Sequence, residues 1–148
     1  MAALLAGALL AACDDELLPE GQEGVSTLCG PYRAVANAFP FDIPPDLSNP
    51  GENLRARDAI ERLGFEVAAL HDAVRISPET QASEAFGRYA TAIDDALADA
   101  EEGTVGLDAP SDWLRYQDEL NERERGARNE LKDTLAGIGV DLEAECPR

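Results

Sequence analysis

Residues 53–76 read NLRARDAIERLGFEVAALHDAVRI, and within them Ile60, Leu63, Val67, Leu70 and Val74 step by three, four, three and four. Steps of that size return a side chain to the same side of a 3.6-residue turn, so the spacing predicts an amphipathic helix with a narrow apolar stripe. A strand would need alternation of apolar and polar residues, and no useful run of it occurs in the chain. The fold class that follows is all-α.

Working outward, Ser77-Pro78-Glu79 reads as a stop and restart, with Ser77 as N-cap and Pro78 at the first helical position. A second helix then carries Phe86, Ala90, Ile93, Leu97 and Ala100 and stops at Gly103. A third begins near Pro110 to Asp112. It carries Trp113, Tyr116, Leu120, Ala127, Leu131, Leu135 and Ile138 on one face and closes at Gly137 and Gly139. Short connections between amphipathic helices favour antiparallel neighbours, so the expected architecture is an up-down-up bundle of three long helices. On the other side, Gly30-Pro31 breaks the chain, and residues 32–39 (YRAVANAF) fit a short N-terminal helix that starts there. Residues 39–51 (FPFDIPPDLSNPG) hold four prolines, which neither a helix interior nor a central strand accepts. They read as an extended strap that packs down through Phe39, Phe41, Ile43 and Leu47, the other reading being a polyproline-type ligand for a partner.

The chain has 148 residues, one domain's worth, and 45% of them are apolar, enough for a core. Thirty Asp and Glu against twelve Lys and Arg give a net charge of −18. Nucleic acid is thereby excluded as a partner, because phosphate binding draws on clustered cations. The charge is unevenly spread: residues 13–53 carry −7, 54–77 carry zero, 78–108 carry −7 and 109–148 carry −4. The end of the second helix holds Asp94, Asp95, Asp99, Glu101 and Glu102, with no cation in sequence between Arg88 and Arg115. Anions there oppose the helix dipole, at about 0.3–1 kcal/mol each when exposed. Asp95, Asp99 and Glu102 point away from the Ile93–Leu97 stripe, so they form an outward acidic patch that serves either a basic partner or solubility. A calcium site takes roughly six to eight oxygens from a shaped loop, so no metal is expected on three helical carboxylates.

There is no P-loop, GxGxxG, GxSxG, HExxH or CxxC, and the single histidine excludes zinc clusters. No catalytic residue and no cofactor are expected, and the protein does not read as an enzyme. Two residues stand out as candidates for a small polar pocket. His71 lies at the seam between stripe and solvent on the first long helix, and Glu124 falls inside the stripe of the third, between Leu120 and Ala127. A carboxylate there is costly unless paired, with Arg128 or His71 as the available partners. The competing reading is that the bundle opens at Glu124 toward solvent or the strap.

Residues 1–12 (MAALLAGALLAA) are eleven apolar residues and one glycine, ending abruptly at Cys13-Asp14-Asp15-Glu16. As a helix they would reach about 18 Å, short of a hydrocarbon core of about 30 Å, so the run reads as an export signal and not as a membrane span. Leu10-Ala11-Ala12-Cys13 resembles the lipobox of bacterial lipoproteins, which implies that the Cys13 thiol carries a diacylglyceryl group. The resemblance implies a signal peptide over 1–12; behind it, 13–27 is acidic and interrupted by Gly and Pro and reads as a flexible tether, and 28–148 reads from its periodicity as the helical domain. The resemblance also implies a lipid-anchored location on the extracytoplasmic face of the cell membrane. With Cys13 so used, Cys29 and Cys146 remain as an even pair that an oxidising compartment can join, two free thiols being the alternative. The function expected is a binding module at the cell envelope, with the membrane and an envelope protein of basic surface as partners. The alternative is a carrier of haem, metal or lipid between strap and bundle.

Overall fold

The structure, a computed structural model, describes residues 22, 24–42, 50–103 and 110–148. Cys13, the expected signal peptide, and Ile43 and Leu47 of the strap lie outside them. The described residues form five helices and no strand: α1 Val25–Ala36, α2 Pro50–Ile76, α3 Gln81–Gly103, α4 Pro110–Gly137 and α5 Leu142–Glu145. The three long helices are α2, α3 and α4.

α3 is the central element. It buries Ala82, Ala85, Phe86, Tyr89, Ala90, Ile93, Ala96 and Leu97, an arc wider than one stripe, because α2 and α4 both pack on it and α1 touches it as well. Among its described side chains, α2 buries Ala56, Leu63, Val67 and Leu70, with Ile60 and Val74 half-buried at the margins. Among the described residues α2 and α4 make no close backbone approach to one another. α1 lies on α2, and α5 ties α1 to α4.

Three local expectations are corrected. The short helix predicted to begin at Pro31 instead runs through it, from Val25 to Ala36. An interior proline costs about 3 kcal/mol, but Val25, Leu28, Cys29, Tyr32, Val35 and Ala36 are all buried at helical spacing, and that burial outweighs the lost hydrogen bond. The last residues of the tether predicted over 13–27 are also helical, since Val25, Ser26 and Thr27 belong to α1, and Gln22 Nε2 donates to the Ile138 carbonyl at 2.8 Å. Finally, Ser77 and Pro78 do not start α3. Thr80 does: its Oγ1 accepts from Ser83 N at 3.2 Å while Ser83 Oγ accepts from Thr80 N at 2.9 Å, a reciprocal cap of the box type.

The far end follows the sequence signal. Gly139 takes φ +80°, and Val140 N and Gly139 N donate back to Leu135 O and Ala136 O, which closes α4 as a Schellman motif with Val140 buried. Asp141 then caps α5 by accepting from Glu143 N at 3.0 Å and Ala144 N at 3.2 Å. That turn returns the chain to α1, where Cys146 is joined to Cys29 in a disulfide with Cα atoms 5.0 Å apart. The first residues of the strap pack as expected, with Phe39 and Phe41 buried. Asn121 holds them to α4: its Oδ1 accepts from Phe41 N at 2.6 Å and its Nδ2 donates to Phe41 O at 3.0 Å, satisfying a backbone that has no ladder partner.

Candidate functional site

Glu124 is 1% exposed, in the α4 stripe where Leu120 and Ala127 flank it. The Arg128 guanidinium donates to its Oε2 at 3.0 Å from one turn on, and the Tyr89 hydroxyl donates to its Oε1 at 3.3 Å from α3. Arg148 Nη2 stands 3.9 Å from Oε1. Around this centre Tyr89 and Tyr32 meet edge to face at 5.3 Å, and Tyr32 meets Phe86 at 5.6 Å. Burial pushes the Glu124 carboxyl above the usual carboxylate range, with Arg148 and the Tyr89 hydroxyl pulling against it. Burial, reinforced by the neighbouring carboxylate, likewise pushes the Tyr89 hydroxyl well up. The arrangement is therefore a polar cluster in which the Glu124 carboxyl itself is closed off from solvent while its arginine partners reach it.

His71 does not belong to it. It is half-buried on α2, the helix that α4 does not approach, and the partners of Glu124 come from α3, α4 and the C-terminal segment. On the outer side of this cluster a cleft of about 460 Å³ is lined by Tyr32, Arg128, Asn129, Lys132 and Arg148 together with Glu143. Lys132 is tied there to Glu143 at 2.9 Å.

The acidic patch is divided by the fold. Asp95 and Asp99 are exposed on α3, but Asp99 pairs with Arg123 of α4 at 2.7 Å, and the same arginine reaches Glu119 at 3.4 Å. A gap in cations along the sequence is thus closed in space by the neighbouring helix. The Glu102 side chain lies outside the described residues. Among the described residues no three His, Cys, Asp or Glu side chains are grouped to hold a metal ion, and no helix is long and apolar enough to cross a membrane.

A third feature escaped the reading of the sequence. Leu54, Phe65 and Ile76 are 63%, 67% and 80% exposed and stand eleven residues apart, which turns each only about 20° from the next around α2. Their spacing was the available signal, masked by the stronger stripe on the opposite side. Beside Phe65 a groove of about 640 Å³ opens between α2 and α4, with α3 as its floor. Ile60, Gly64, Phe65 and Ala68 form one wall, Leu97 and Ala98 the floor, and Tyr116 the other wall, while Arg57, Glu61 and Asp94 supply the charge. Trp113 is buried against Tyr116, with ring centroids 5.1 Å apart. A separate pocket of about 420 Å³ lies between the strap and α2, lined by Ala38, Pro40, Phe41, Ala59 and Leu63 among others. Comparison with protein-family models, with curated proteins and with solved structures finds no match to the chain.

Proposed function

We propose that this protein is a lipoprotein of the cell envelope, anchored through Cys13 on the extracytoplasmic face of the membrane, whose up-down-up bundle works as an interaction module without catalytic activity. The observation that carries the module is the groove between α2 and α4, where Phe65 stands 67% exposed beside Leu97 and Tyr116. An apolar opening of this kind on a polar surface is characteristic of partner binding. The anchor rests on Leu10-Ala11-Ala12-Cys13 alone. Two acyl chains hold a protein stably, at about 0.8 kcal/mol per buried methylene.

The two parts are tested separately in the native host. Cys13→Ser is expected to move the protein from the membrane fraction to the soluble one, and retention in the membrane overturns the anchor. A photo-crosslinking side chain at position 65 is expected to give a discrete adduct with one envelope protein, whereas the same side chain at exposed Asp133 gives none. Equal labelling from both positions overturns the module. A small-ligand carrier remains the second reading, favoured by the pocket between strap and α2. Native mass spectrometry of protein purified from its host decides it: a co-purifying haem, metal or lipid mass supports the carrier, and a clean apo mass removes it.

A further inference from the structure

We infer that the groove between α2 and α4 receives one amphipathic helix of a partner protein, apolar on the inserted face and basic along its flanks. The inference rests on the interaction-module reading and specifies the partner for that same surface. The opening along α2 from Arg57 to Ala68 spans about 17 Å, the length of three helical turns. Gly64, Ala68 and Ala98 keep that wall and floor low, and a Cβ added at Gly64 meets no atom within 4 Å. Low walls permit the interaxial distances of about 8–10 Å at which helices pack. Phe65, Leu97 and Tyr116 then line the opening with apolar surface for the inserted face.

Charge selects the flanks. Among the described residues, Glu61 and Asp94 line the groove against one cation, Arg57, and Asp95 is exposed on α3. The whole chain carries −18, so an acidic helix would meet repulsion at every range, while Lys or Arg at the borders would meet Glu61 and Asp94. A second copy of this chain is disfavoured by the same net charge.

The test uses the full chain in detergent and a pair of synthetic fourteen-residue helices with identical Leu/Ala faces, one flanked by Lys and the other by Glu. The single tryptophan, Trp113, packs on a groove wall and reports occupancy through its emission. The Lys-flanked helix is expected to bind about tenfold or more tightly than the Glu-flanked one at low salt, a preference that shrinks as salt screens it. Gly64→Leu, whose Cβ meets no atom within 4 Å, projects a side chain into the groove and should abolish binding with the fold intact by circular dichroism. Glu61→Lys with Asp94→Lys should reverse the preference. Equal binding of both helices, or binding unaffected by Gly64→Leu, overturns the proposal. So does concentration-dependent self-association that Gly64→Leu removes, since the occupant is then a second copy. If neither helix binds and Gly64→Leu lowers Tm, the groove is filled by this chain and the proposal also fails. A position-65 adduct without charge discrimination defeats the partner's chemistry alone, whereas loss of the adduct defeats the module itself.

Discussion

Glu124 combines a buried carboxylate with partners that keep contact with water. The side chains of Arg128 and Arg148 are 28% and 39% exposed, so removing the carboxylate charge leaves neither guanidinium stranded. The usual heavy cost of breaking a buried pair does not apply, and the desolvation of Glu124 itself becomes the deciding quantity. Because burial raises its folded pKa above the ordinary 4.5, the folded state holds the proton more tightly than the unfolded state does. The resulting contribution to stability is fully present below pH 4.5 and is lost as pH rises through the folded value. Glu124→Gln keeps one acceptor oxygen, for Arg128, turns its amide N–H toward the Tyr89 hydroxyl oxygen, and removes this loss. It is expected to be about 1 kcal/mol more stable than the parent at pH 7, with the advantage vanishing near pH 4, as read from urea denaturation at both pH values. A variant less stable at pH 7 than the parent would show that the ion pairs outweigh the desolvation. The misfit residue itself was legible as Glu124 in an apolar stripe. Its partner Tyr89 was not, because only the packing of α3 on α4 brings them together.

At the scale of elements, the three long helices were legible because apolar periodicity and Gly or Pro punctuation agree at Ile76, Gly103, Pro110 and Gly137. Where those signals conflict, tertiary burial decides, and α1 crosses Pro31 for that reason. α5 has four residues, too few for any period to show, and is held by Asp141 and by the chain's return to α1. The α2–α3 connection separates the sequence rule from the observed cap. Thr80→Ala removes the acceptor for Ser83 N and should cost about 1 kcal/mol in thermal denaturation. Ser77 Oγ is buried without a hydrogen-bond partner among the described residues, so Ser77→Ala should change stability by less than about 0.5 kcal/mol or raise it. The opposite ranking would restore Ser77 as the cap.

For the molecule as a whole, the disulfide joins residues 117 apart in sequence, from α1 to just beyond α5. Closing a loop of that size stabilises by about 4–5 kcal/mol in the chain-entropy treatment, an upper figure for a domain whose whole stability is of order 5–15 kcal/mol. Cys29→Ser with Cys146→Ser is therefore expected to lower the urea midpoint strongly while keeping helical content at low temperature. An unchanged midpoint would mean that the helices alone hold α1 in place. The same bond also determines how the domain carries load. A pull on residues before α1 enters the bundle at Cys29 and divides there, one strand running forward through the strap into α2 and the other crossing the sulfurs into α5 and α4. Tension from the amino-terminal side thus grips the helical core through α2 and through α5 at once, so α1 beyond Cys29 cannot be peeled away by itself.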